Sequence, residues 1–164
     1  MRLTDYTDYS LRVMLYLALK RDTLVTIQEI SDAYGISKNH LMKVVQQLGE
    51  QGWVDTIRGR NGGLRLAEQS LTLTVGEVVR ATESDFALVG CFDEPQAGRR
   101  ACVIEPHCRL KHALDAARQA FLAELDRHTI GELAGPAGPL AGLLGIVPIK
   151  VVGMPATAPT ARRQ

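Results

Sequence analysis

A chain of 164 residues is long enough to bury a proper core, as one domain or as a small domain with a helical extension. Its 46% hydrophobic and 23% charged residues describe an ordinary soluble protein. A net charge of +1 excludes a whole-protein electrostatic argument for nucleic acid, so any such argument must come from local placement of charge.

The N-terminus MRLTDYTDYS carries Asp5 and Asp8 and lacks the basic start and cleavage site of a signal peptide. The apolar run MLYLAL is too short to span a bilayer. Both features point to the cytoplasm, with no membrane partner.

Helical spacing of Leu11, Met14, Leu15 and Ala18 predicts a first helix over residues 7–20. Asp8 near its start has a default role, because an acid stabilises the positive end of a helix. Next, Thr26 and Glu29 form a T-x-x-E capping box that opens a short helix with Ile27, Ile30 and Ala33 inward. Gly35 supplies a left-handed turn, and Ser37 is the expected cap of a second helix. Leu41, Val44, Val45 and Leu48 form the buried stripe of that helix, and Asn39, Lys43 and Gln46 fall on another face. Helix, glycine turn and a helix with a polar face make the helix-turn-helix pattern, whose second helix can reach base edges and phosphates.

The stretch WVDTIRGRNGGLRLA predicts two strands, 53–58 and 63–67, around a Gly-Arg-Asn-Gly turn. A hairpin directly after a helix-turn-helix is a wing, and its arginines can track phosphates or enter a minor groove. Over residues 38–66 the basic residues exceed the acids by three, where the motif needs them. The candidate DNA contacts are Thr26, Ser37, Lys38, Asn39, His40, Lys43, Gln46, Arg58, Arg60, Asn61 and Gly62. A second capping box, Thr74 with Glu77, opens a short helix.

All three cysteines, Cys91, Cys102 and Cys108, lie in one polar loop. Cysteine often behaves as a small buried hydrophobe, but the charged flanks here argue against that for all three. An odd count and no export signal fit a disulfide framework poorly. Structural zinc usually takes four Cys/His ligands with a short C-x-x-C pair, whereas the gaps here are ten and five residues, with His107 and His112 nearby. The thiols favour an iron–sulfur cluster held by three cysteines and one ligand from elsewhere. From Cys108 the sequence predicts a long helix whose Leu110, Leu114, Ala117, Phe121 and Leu125 form an apolar stripe. With few elements left to cover it, that stripe is expected to pair with its copy in a homodimer. The fold class is mainly α with a small β-hairpin: a winged helix-turn-helix plus a long dimerisation helix. The expected organisation is a DNA-binding region over 1–85, a cysteine loop over 86–108, a dimerisation helix over 109–134 and a flexible Gly/Pro/Ala-rich tail over 135–164.

MRLTDYTDY-LR, YGISKNHLMKVVQQL, RGRNGGLRLA and CVIEPHCRLKHAL together resemble the iron–sulfur winged-helix regulators, and among them the nitric-oxide-sensing repressors. The resemblance covers residues 1 to about 134 and omits the tail. It implies a non-enzymatic transcriptional repressor whose dimer binds double-stranded operator DNA and releases it when nitric oxide attacks the cluster. It also implies ligation by Cys91, Cys102 and Cys108, with Asp8 of the partner subunit at the position of the fourth ligand. A 4Fe–4S cluster is favoured over 2Fe–2S. Another branch of the family carries a histidine three residues after the last cysteine, where this chain has Lys111. The ten residues between Cys91 and Cys102 are about twice the usual gap, a small entropic cost for loop closure. The alternatives are a regulator sensing iron or cluster supply and, from another class, a small metal-binding or electron-transfer protein.

Overall fold

The computed structural model describes residues 2–92, 102–104, 107–135 and 137–146. Its first helix, α1 (Asp5–Leu19), begins two residues earlier than the apolar spacing indicates. Thr4 is the reason: its side chain accepts the Thr7 N–H, and Asp5 and Asp8 occupy the first turn. Val13, Met14, Leu17 and Ala18 are buried, so the core face is turned slightly from the expected stripe, and Leu11 and Leu15 lie at its margin. Burying a side chain of the size of Met or Leu stabilises by about 1.5–3 kcal/mol, so this face anchors the domain.

The helix-turn-helix forms as the sequence indicates. Helix α2 (Ile27–Tyr34) carries the full Thr26–Glu29 capping box and ends at Gly35, whose φ of 65° is left-handed. Helix α3 (Lys38–Glu50) buries Leu41, Val44, Val45 and Leu48. Ser37 departs from expectation, since its side chain makes no capping hydrogen bond. Its carbonyl accepts the N–H groups of His40 and Leu41, both at 3.1 Å, the ordinary start of the helical ladder.

Strands β1 (Val54–Ile57) and β2 (Gly63–Leu66) pair antiparallel, with Val54 opposite Leu66 and Ile57 opposite Gly63. Val25, just before α2, bridges to Leu64 and ties the wing to the helix-turn-helix. The turn is tight at Gly62, where a Cβ would sit 2.1 Å from the Ile57 carbonyl oxygen. A 3₁₀ turn over Glu68–Leu71 follows, then α4 (Val75–Thr82), opened by the Thr74–Glu77 capping box.

The single helix predicted over residues 109–134 is divided in two. Helix α5 runs Arg109–Leu125, and a separate helix, α6, runs Ile130–Ala134. Thr129 and Glu132 make a third capping box that starts a new helix there. Backbone bonds hold the break in place: Val75 N–H donates to His128 O at 2.8 Å, and Ile130 N–H to Leu73 O at 2.9 Å. Helix α6 packs against α1, with Ile130 fully buried, and so shares the core of the helix-turn-helix and wing.

The tail also departs from the irregular chain expected of it. Helix α7 spans Ala137–Leu143, Ala141 is buried, and Leu144 and Ile146 pack against the core. The expectation for 147–164 lies outside the described residues. Among the described residues no helix is long and apolar enough to cross a membrane.

Candidate functional site

Lys38, Asn39, His40, Lys43 and Gln46 all emerge on the exposed side of α3, opposite its buried stripe. Arg58, Arg60 and Asn61 are exposed around the wing turn, and Gly62 is half-buried within it. Among the described residues Lys38, Lys43, Arg58 and Arg60 have no acid within ion-pair distance. By contrast, Arg12, Lys20, Arg65, Arg80, Arg118 and Arg127 each have one. Unneutralised cations gathered on one helix and one hairpin tip are placed to meet phosphates. Arg65 differs from its neighbours because it donates to Asp55 across the hairpin at 3.0 Å. Two other candidates are engaged internally. The Thr26 hydroxyl lies 3.0 Å from Glu29 within the capping box, and Gln46 Nε2 donates to Glu50 at 3.1 Å.

Behind this face, the N-terminus of α1 is fixed to the end of α4, which leads into the cysteine loop. Thr4 N–H donates to Glu83 Oε1 at 2.7 Å, and the buried Thr7 hydroxyl donates to Thr82 Oγ1 at 2.9 Å. Asp8, the next residue, accepts from Arg12 Nε at 2.9 Å. The Arg12 guanidinium lies 5.7 Å from the centre of the Tyr34 ring at the end of α2. Burial pushes the Tyr34 phenol up, and Arg12 pulls it partly back.

All three thiols are free, Cys91 and Cys108 half-buried and Cys102 exposed. Cys108 caps α5, its sulfur accepting the Lys111 N–H at 3.3 Å. Phe92, beside Cys91, lies 5.6 Å under the Arg118 guanidinium of the same helix. Residues 93–101, 105 and 106 of the loop lie outside the described residues. Among the described residues no three His, Cys, Asp or Glu side chains are gathered as a metal site, so Asp8 and the cysteines are not brought together within one chain. The donor chemistry nonetheless fits iron: free thiols, one at a helix N-terminus whose positive potential suits a ligand sulfur. Sequence reasoning missed the Thr4–Glu83 and Thr7–Thr82 links and the Arg12–Asp8 pair. Only the last had a signal, the i, i+4 spacing of opposite charges.

A helix-turn-helix with exposed cations on its second helix, followed by a basic wing, is the arrangement of a DNA-binding transcriptional regulator. The chain belongs to the Rrf2 family, whose model, described as "Iron-dependent Transcriptional regulator", matches residues 3–136. It is 53% identical over 134 residues to the "HTH-type transcriptional regulator NsrR" of Bacillus subtilis, covering 81% of this chain and 90% of the relative. The regulator of that name from Geobacillus kaustophilus is 46% identical over 145 residues, covering 88% and 97%. Among solved structures, the cysteine regulator CymR of B. subtilis superposes with a TM-score of 0.64 at 24% identity, over 82% of this chain and 96% of that one. The IscR of T. potens superposes with a TM-score of 0.66 at 19% identity, over 85% and 90%. These two likenesses support the winged-helix fold.

Proposed function

We propose that the chain is a nitric-oxide-responsive repressor in the cytoplasm that binds operator DNA as a homodimer holding iron–sulfur clusters. The observation that carries the DNA half is the group of exposed cations on α3 and the wing, with no acid partner among the described residues. In this reading α3 enters the major groove, and the wing follows the adjacent backbone. Residues 1–85, with α6 packed back on them, form the DNA-binding region, and residues 86–108 carry the thiols. Helix α5 supports a dimer because none of its residues is buried in one chain and Leu110 is 64% exposed.

Cys91, Cys102 and Cys108 would hold the cluster, with the partner subunit's Asp8 as fourth ligand and 4Fe–4S favoured. Bound there, the group supplies iron that reacts with nitric oxide. The chain's own residues carry the consequence to DNA. Asp8 either pairs with Arg12 or faces outward as a ligand, and the half-exposure of both side chains leaves room for the exchange. Arg12 lies against Tyr34 beside the helix-turn-helix, so a change at Asp8 is felt next to the recognition helix. A ligand shifts such an equilibrium only by its differential affinity for the two states, and a ten- to hundred-fold change needs only about 1.4–2.8 kcal/mol.

The NsrR relatives support this reading, and the iron-dependent description of the family favours a second one, direct sensing of iron or cluster supply. Anaerobic purification, with absorption and Mössbauer spectra before and after nitric oxide, tests the cluster. A steep fall of operator affinity with salt tests the DNA contacts. A protein without iron or sulfide, or without DNA affinity in any state, would overturn the proposal.

A further inference from the structure

We propose that Tyr9 is a positioning residue for the recognition helix, holding its first turn through a ring stack on His40. The inference rests on reading α3 as the helix that meets DNA.

The two rings are 6.1 Å apart between centroids, with planes inclined by 22°, within the range of stacked aromatic pairs. Tyr9 is half-buried against the core, whereas His40 is exposed in the first turn of α3. That turn lacks the usual local supports. Helices α1, α2, α4 and α6 each start with a threonine side chain accepting a backbone N–H, but Ser37 makes no such bond and α3 has no acid in its first turn. The Lys38, Asn39 and His40 side chains therefore stand on a helix end that its own sequence leaves free to fray. A ring anchored in α1 supplies an external brace. The same turn of α1 bears Asp8, one residue before Tyr9, so a shift of that turn displaces the brace.

The direct readout needs neither metal nor DNA. The His40 and Leu41 N–H groups both donate to Ser37 O, and their hydrogen exchange reports fraying of this turn. In the full-length protein Tyr9→Leu should speed exchange at these two amides at least five-fold, relative to Val44 and Val45 in the middle of α3. It should also weaken operator binding five- to twenty-fold with the salt slope unchanged, since no phosphate contact is lost. Tyr9→Phe keeps the ring and should restore both. Unchanged exchange in Tyr9→Leu, or Tyr9→Phe as impaired as Tyr9→Leu, would overturn the proposal. Should Tyr9→Leu fail to fold, His40→Ser removes the stack from its exposed side. It must then speed Leu41 exchange, and its failure to do so overturns the brace equally. A wild-type protein without operator affinity sinks the DNA-binding reading instead, and the exchange data still decide whether Tyr9 holds the turn.

Discussion

Arg12 Nε donates to Asp8 Oδ1 at 2.9 Å across one turn of α1, with both side chains 44% exposed. The carboxylate thus has three claims on it: the helix N-terminus, the Arg12 cation and, in the proposed dimer, iron. Its hydrogen bond to Asp8 raises the Arg12 pKa against the opposing effect of burial. The first two claims concern stability and are small, because a half-exposed i, i+4 pair contributes about 0.3–0.5 kcal/mol.

Asp8→Ala should therefore barely change the melting temperature of the metal-free protein, yet change the absorption spectrum and oxygen sensitivity of the reconstituted one. Asp5→Ala is the control, since among the described residues Asp5 forms an ion pair only with the highly exposed Arg2. An unaltered Asp8→Ala spectrum would transfer the fourth position to His107 or His112.

The wing separates two arginines by their partners. Arg60→Ala should weaken operator binding and reduce the salt slope by about one, as for the loss of one phosphate contact. Arg65 is held by Asp55 on the neighbouring strand, so Arg65→Ala should change that slope less. Equal slopes for wild type and Arg60→Ala would remove the wing from the interface.

Acid should loosen the molecule in a defined direction. Hydrogen bonds from Arg80 hold Asp126 below the usual carboxylate range, and the Thr129 backbone N–H does the same for Glu132. Burial raises Glu29, but its bonds from Lys20 and Thr26 outweigh that and leave it lowered. A folded pKa below the unfolded one contributes stability above the unfolded value, and that stability is lost as pH falls through the folded value. The melting temperature should be level from neutral pH to about 5 and fall below about 4, the ordinary carboxylate range. Asp126→Asn should flatten that fall, and a melting temperature that rises on acidification would contradict the assignment.

The dimer prediction shifts with the structure. Leu125 packs on the core of its own chain, and Phe121 lines a hollow with Leu3, Phe86 and Leu88. The N-terminal half of α5 is the freer face. Leu110→Glu combined with Leu114→Glu should give monomers by light scattering with the helical content retained. A double variant that remains dimeric would move the interface elsewhere.

Local chemistry made most of the fold legible. The capping boxes at Thr26 and Thr74, the glycine turn at Gly35 and the wing glycines each determine backbone geometry within a few residues. The box at Thr129 was equally legible, but the continuing apolar spacing of α5 concealed it. What the sequence could not show depends on distant partners. The break before α6 is held by the Ile130 N–H on Leu73 O and the Val75 N–H on His128 O, pairs far apart in the sequence. The candidate site divides in the same way. The exposed cations followed from helix and hairpin periodicity. Thr7–Thr82 and Thr4–Glu83 join residues more than seventy positions apart, and no local pattern announces them.

The measurement that bears most directly on the central claim is a nitric oxide titration of the cluster-loaded dimer on operator DNA, following DNA release and cluster absorbance together. Release in step with the loss of absorbance is the expected result. DNA that stays bound after the absorbance is fully lost to nitric oxide, and is released only by iron chelation, would contradict the account in favour of iron sensing.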